Sequence, residues 1–264
     1  MKRALVTGGS SGIGRATAEL LASRGFDVCV LANDSCGVND VVRGIVERGG
    51  GAAEYCVDLS ERDDVVGLYE RIEAERGQID VLVNVAGIGM QADVVETEVD
   101  DLYRLFAVNF FAAAVLSRDA MKSMSARGGG HIVNISSASA RRALPGMSTY
   151  SSTKAALHAF SQALRIEGRD RGVYVTEVLP MSVKTPFFDS AVNRSAVPYS
   201  SEGIAIISTP EQVAECVWRA IRHPVAEIYT SRLARLALAV DAAFPSIFDR
   251  ILVSVRRKRL STGK

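Results

Sequence analysis

Tyr150 and Lys154 stand four residues apart in a stretch of helical period, which puts a phenol and an ammonium on one helix face. A phenol ionises near about pH 10 and is a poor base at neutral pH, but a neighbouring ammonium stabilises the phenolate. Tyr150 can then move a proton. Ser136 and Ser137 close a buried apolar run upstream, where a hydroxyl can bond a substrate oxygen lying between it and the tyrosine. Near the N-terminus, Thr7-Gly8-Gly9-Ser10-Ser11-Gly12-Ile13-Gly14 joins an apolar run to a helical period. Such glycines allow a tight turn and close approach of backbone to a pyrophosphate, which the positive end of the following helix favours.

These residues need a scaffold, and the hydrophobic pattern supplies one. Strands are expected at Ala4 to Val6, Asp27 to Ala32, Ala53 to Val57, Val81 to Val85, His131 to Ile135, Val173 to Leu179 and Glu227 to Tyr229, with helical stretches between them. Continuous apolar strands such as Val81-Leu82-Val83 are covered by helices on both faces, so the reading is an α/β doubly wound parallel sheet. Residues 1–230 form one catalytic domain and residues 231–264 a helical C-terminal extension. With 48% hydrophobic and 23% charged residues the composition is that of a globular chain, which excludes disorder and fibrous repeats. A net charge of +1 offers no field for nucleic acid.

The combination resembles the short-chain dehydrogenase/reductases over nearly the whole chain, to about residue 230. The family's T-G-x-x-x-G-x-G matches Thr7 to Gly14, its N-N-A-G matches Asn84-Val85-Ala86-Gly87 with the second asparagine replaced, and its mid-helix asparagine matches Asn109. The resemblance implies a Rossmann fold and a catalytic set of Asn109, Ser137, Tyr150 and Lys154. Tyr150 is the general acid/base, Lys154 lowers its pKa and binds the nicotinamide ribose, Ser137 polarises the substrate oxygen, and Asn109 holds a proton-relay water. Cofactor-binding residues implied are Gly8, Ser10, Ser11, Gly12, Ile13, Gly14, Asn33, Asp34, Asp58, Leu59, Asn84, Ala86, Gly87, Tyr150, Lys154, Pro180, Val183 and Thr185. Asp58 corresponds to the acid that contacts the adenine amino group. Met181 replaces the glycine of the family's P-G-x-x-x-T segment and so alters the backbone path and pocket wall beside the nicotinamide. The implied activity is an NAD(P)-dependent interconversion of a secondary alcohol and a ketone. A dinucleotide-binding sensor or scaffold is the alternative, although it has no need of the serine, tyrosine and lysine together.

At the end of the second strand, Leu31-Ala32-Asn33-Asp34 leans to NAD, because an acidic residue there repels a 2′-phosphate; Arg15 leaves NADP open. The substrate segment runs from Pro186-Phe187-Phe188 to about Ser208, opposite Gly89-Met90-Gln91 and Ala143-Leu144-Pro145. With Met147 and Met181 it suits a small, mainly apolar alcohol or ketone. Arg141 and Arg142 either border the substrate mouth or form a solvated pair. The histidines, His131, His158 and His223, show no metal spacing, and no metal is expected. Cys29, Cys36, Cys56 and Cys216 read as free, mostly buried thiols in a reducing, cytoplasmic setting. Met1-Lys2-Arg3 leads at once into Ala4-Leu5-Val6 and shows no secretory signal. The glycosylation patterns at Asn134 and Asn193 are taken as accidental. From Arg232 to Lys264, eight Lys/Arg against two Asp give the tail +6, leaving −5 for the rest. There Ile247, Phe248, Ile251, Leu252 and Val255 form a stripe between Pro245 and Arg256-Arg257-Lys258-Arg259. That pattern fits a lid, a contact in a homo-oligomer, or peripheral contact with an anionic membrane.

Overall fold

The computed structural model describes residues 1–185, 187, 191–194 and 207–262, with no side-chain description beyond Lys258. Seven parallel strands form its sheet: β1 (Arg3–Thr7), β2 (Asp27–Ala32), β3 (Gly51–Cys56), β4 (Val81–Asn84), β5 (Gly130–Ile135), β6 (Val173–Leu179) and β7 (Glu227–Tyr229). Their spatial order is β3-β2-β1-β4-β5-β6-β7. The order reverses between β1 and β4, and in open α/β sheets the crevice beyond the strand ends at such a reversal is where ligands bind.

Alternation along the strands divides the core in two. Ala4 and Val6 of β1, Val28 and Val30 of β2 and Val81 and Val83 of β4 face one side. There they pack on Leu21 of α1 (Gly12–Ser23), Ile45 of α2 (Ser35–Glu47) and, through the same cluster, Val213 and Val217 of a helix at Pro210–Arg222. Leu5, Cys29, Leu31, Leu82 and Ile132 face the other, with Tyr69 and Ile72 of α3 (Leu68–Arg76) and Leu116 and Met124 of a helix at Ala112–Ala126. Each such side chain fully withdrawn from water contributes roughly 1.5–3 kcal/mol. Between α3 and that helix lies α4 (Val99–Phe106), joined by a π-helical turn at Ala107–Phe111 to α5 (Ala112–Ala126). The long α6 (Ser148–Arg169) and α7 (Pro210–Arg222) follow, then α8 (Arg232–Ala243) and α9 (Pro245–Thr262).

The expected and observed strands agree closely, and the departures have causes. β3 is the outermost strand on its side and alternates in exposure, so Cys56 is exposed; Cys36 is exposed as well, and only Cys29 and Cys216 are buried. The expectation of mostly buried thiols is therefore corrected. All four cysteines are free. No helix among the described residues is long and apolar enough to cross a membrane. Two short pairs lie outside the main sheet, Ser182–Val183 with Ile207–Ser208 and Met90–Ala92 with Val192–Arg194.

Candidate active site

A cleft of about 680 Å³ opens at the carboxyl ends of the strands, around the β1/β4 reversal. Its first wall is backbone. Gly8 has φ +65°, and a Cβ there would come within 2.8 Å of the Ala86 backbone; one on Gly14 would collide with the Gly8 carbonyl. Thr7 Oγ1 accepts from the backbone N–H groups of Val85 (3.0 Å) and Ala86 (3.1 Å), pinning the loop after β4 against the glycine turn. α1 starts at this turn with extended Ser11 as N-cap, and no side chain accepts its first N–H groups and no acid stands in its first turn. An anionic phosphate is the complement of those N–H groups and of the space the absent side chains leave. The residues present therefore fit a dinucleotide.

Asn33 and Asp34 line the far end of the cleft. Asp34 caps α2, its Oδ1 accepting from Gly37 N–H at 3.1 Å. Arg15 does not line the cleft and is ion-paired to Glu19 at 3.2 Å. Asp58 and Leu59 follow β3; the Asp58 carboxylate accepts from Ser60 N–H and hydroxyl, which hold its pKa below the usual carboxylate range.

The reacting end is built on α6, which buries Tyr150 and Lys154 on one face one turn apart. Lys154 Nζ donates to the Ile135 carbonyl at 3.1 Å. Burial pushes its pKa down to about 8, opposed by the Glu177 carboxylate. Burial pushes the Tyr150 phenol up to about 12, and a hydrogen bond with Ser137 pulls the other way. Lys154 is not among the groups that set this balance. The chain after β5 is fixed to that after β6 by Ser136 N–H to Val178 O (2.9 Å) and Ala138 N–H to Pro180 O (2.8 Å). Ser137 sits between those bonds.

Of the residues expected to bind cofactor or carry chemistry, all but two line the cleft: Asn84 and Asn109 lie behind it. Asn84 donates to Asn134 (2.8 Å) and Ser117 (3.0 Å), and Asn134 donates to Ser161 of α6 (2.8 Å). This polar chain ties α6 to the sheet and engages the Asn84 side-chain NH2 behind the cleft lining. Asn109 lies in the π-helical turn, is 1% exposed, and clamps Ile88 by accepting from its N–H (2.8 Å) and donating to its carbonyl (3.0 Å). Met181 replaces a family glycine without backbone strain, since no described non-glycine residue has positive φ.

The substrate end is apolar: Leu144, Met147, Met181 and Phe187 line it, and Phe187 meets the Tyr150 ring edge-on at 5.7 Å. Pro186 and Phe188 lie outside the described residues. Leu238, from α8, is a lining residue that the sequence reading does not single out, whereas Arg142 borders the cleft as one of the two alternatives had it and is bound to Asp241 of α8 (3.4 Å) and Asp249 of α9 (2.6 Å). Arg141 pairs with Glu227 at 3.8 Å. Nearby, His158, Glu177 and Glu227 present ligand atoms within 4.8 Å of one another, a juxtaposition that spacing along the chain hides. His158 Nδ1 lies 2.5 Å from Glu177, and the Arg141 guanidinium, 3.3 Å from His158 Nε2, already supplies positive charge there.

Comparison with known proteins places this geometry. The short chain dehydrogenase family matches residues 2–195. An uncharacterized oxidoreductase of Bacillus subtilis, YxnA, is 29% identical over 95% of this chain and 71% of its own length. A short chain dehydrogenase of Pseudocercospora fijiensis is 36% identical over 74% of this chain, which spans 64% of that relative. Among solved structures, a short-chain dehydrogenase from Sphingobium yanoikuyae in complex with NADPH superposes with a TM-score of 0.81 at 25% identity, covering 94% of this chain and 95% of that one. The seven-stranded sheet, the glycine turn and the family match together establish that this chain belongs to the short-chain dehydrogenases and is an oxidoreductase of that family.

Proposed function

We propose that the chain interconverts a secondary alcohol and a ketone on a small, mainly apolar substrate, with Tyr150 moving the proton. The observation that carries this reading is the buried Tyr150 phenol, hydrogen-bonded to Ser137 at the floor of the cleft with Lys154 one turn along the same helix. When bound, a nicotinamide dinucleotide supplies or accepts the hydride. A phenol with a pKa near 12 is protonated at neutral pH, so in the chain as it stands Tyr150 is a proton donor to a carbonyl oxygen. Ser137 directs that oxygen. Lys154 would hold the ribose of a bound dinucleotide and supplies positive charge one turn along the helix from the phenol. Asn109 holds Ile88 in place and keeps a second lone pair on Oδ1 for a relay water. Leu144, Met147 and Phe187 exclude water from the reacting carbon.

NAD is the cofactor this reading assigns. Asp34 puts negative charge at the ribose end, and Arg15, the cation that leaves NADP open in the sequence, is held by Glu19 outside the cleft. The NADPH in the Sphingobium relative and the NADP in a metagenomic short-chain oxidoreductase argue the other way. Residues 1–230 form the catalytic unit and residues 231–264 an extension. The protein acts in the cytoplasm as a homo-oligomer; exposed Tyr103 on α4, Phe111 in the π-helical turn and Ile166 on α6 support self-association.

Tyr150→Phe tests the reading. It should lower kcat by about 10²- to 10⁴-fold, the worth of general acid/base help, while leaving dinucleotide affinity within about twofold. Unchanged turnover would remove Tyr150 from the proton path. Dinucleotide binding without turnover of any alcohol or ketone by the wild-type chain would favour the sensor.

A further inference from the structure

α8 and α9 present two different faces. Inward, Ala234 and Asp241 are buried, Leu238 lines the cleft, and Arg142 holds both Asp241 and Asp249; Arg256 pairs with Asp93 at 2.7 Å. Outward, Leu236, Val240, Phe244, Ile247, Ile251 and Val255 recur at three- and four-residue spacing along both helices, each between 43% and 61% exposed. An aqueous surface gains nothing from such a stripe. Its flanks are cationic: Arg232, Arg250 and Arg257 are exposed and make no ion pair among the described residues. Both acids of the two helices, the buried Asp241 and the exposed Asp249, pair with Arg142, so neither is left unpaired to balance the outward arginines.

We propose that this face docks on an anionic lipid bilayer, with the apolar stripe at the level of the acyl chains and the arginines among the lipid headgroups. The charge decides between occupants. A second copy packed on the same face would bring two cationic flanks together with no unpaired acids to meet them, whereas anionic headgroups complement them directly. An apolar stripe flanked by arginines is the pattern of a helix lying in the interfacial plane. Leu238 stands on the reverse side of the same helix, in the wall of the cleft. If the substrate is apolar, as the function proposed above has it, it passes from the bilayer to Met147 and Phe187 around the edge of α8. That last step rests on the proposed function; the docking itself does not.

Sedimentation of the full chain with vesicles tests docking without any substrate. The wild-type chain should bind vesicles containing phosphatidylserine at least about tenfold more tightly than pure phosphatidylcholine vesicles, and less tightly as salt rises. Arg250→Glu with Arg257→Glu should remove the preference for anionic vesicles. Ile247→Asp with Ile251→Asp should abolish sedimentation while dinucleotide binding and thermal unfolding stay as in the wild type, since both side chains point away from the core. Absence of sedimentation with either vesicle would overturn the proposal, as would equal binding to both. A wild-type dimer in analytical ultracentrifugation that the isoleucine variant converts to monomer would assign the stripe to a second copy instead.

Discussion

The two ends of the cleft are made of different material. The cofactor end is backbone: glycines 8, 12 and 14, the loop at Ala86 and Gly87 pinned by Thr7, and the bare N-terminus of α1. The substrate end is side chains from segments far apart in the chain, with Leu144 and Met147 before α6, Phe187 after β6 and Leu238 on α8, and with Arg142 as the clasp. A backbone cradle recognises what is constant in its ligand and tolerates little change. A wall of side chains can be rebuilt without disturbing the strands, which is how one fold serves many substrates.

Substitutions should separate the two ends. The largest effect is expected from Gly14→Ala: the new Cβ meets the Gly8 carbonyl, and relief requires moving the turn or α1. Overpacking of this kind costs about 1–3 kcal/mol, and dinucleotide affinity measured by calorimetry should fall by tenfold or more. A variant that binds as the wild type does would show that the turn is not the cradle. Next comes Arg142→Met, which leaves Asp241, 5% exposed, without its partner. It should raise KM for an apolar ketone by about tenfold while leaving the cofactor dissociation constant unchanged, since stripping one member of a mostly buried pair perturbs what that pair holds. Equal losses at both ends would mean that α8 supports the whole cleft and that the contrast fails.

The smallest effect concerns pH. Lys154 ionises near 8 in the folded chain against 10.5 ordinarily, so between those values the unfolded state binds the extra proton and stability rises with pH. Thermal unfolding of wild type and Lys154→Met should converge as pH is raised from about 8 toward 10.5, the buried charge being a cost below that window. Turnover should fall as pH rises through about 8, where the folded chain loses the ammonium. Glu177→Gln should move that fall to lower pH, because the Glu177 carboxylate raises the Lys154 pKa. A basic limb that stays in place would show that Lys154 does not control it.

The same division governs what the sequence makes legible. β2, β6 and β7 fall at the residues the apolar runs predict, and the glycine turn and the tyrosine–lysine pair sit where their local spacing puts them. These are short-range signals, carried by steric need or helical period. β3 extends two residues earlier than its apolar run because an edge strand is set by pairing with β2, not by burial. Asn84 belongs to a familiar motif yet points into a buried polar chain, since its position in the register, opposite Asn134, decides where its amide goes. The clasp from Arg142 to Asp241 and Asp249 joins residues about a hundred apart with no shared period. Nothing local announces it. The tail's stripe was visible as a pattern, but which of its sides faced the protein followed only from Leu238 and that clasp.

The most direct test of the account is a calorimetric titration of the purified chain with NADH and with NADPH, repeated on Asn33→Arg, which leaves the Asp34 cap of α2 in place. The wild-type chain should bind NADH at least about tenfold more tightly, a difference of about 1.4 kcal/mol, and the arginine variant should lose or reverse that preference. Tighter binding of NADPH by the wild type would contradict the role given to Asp34, and binding of neither would contradict the reading of the cleft as a dinucleotide site.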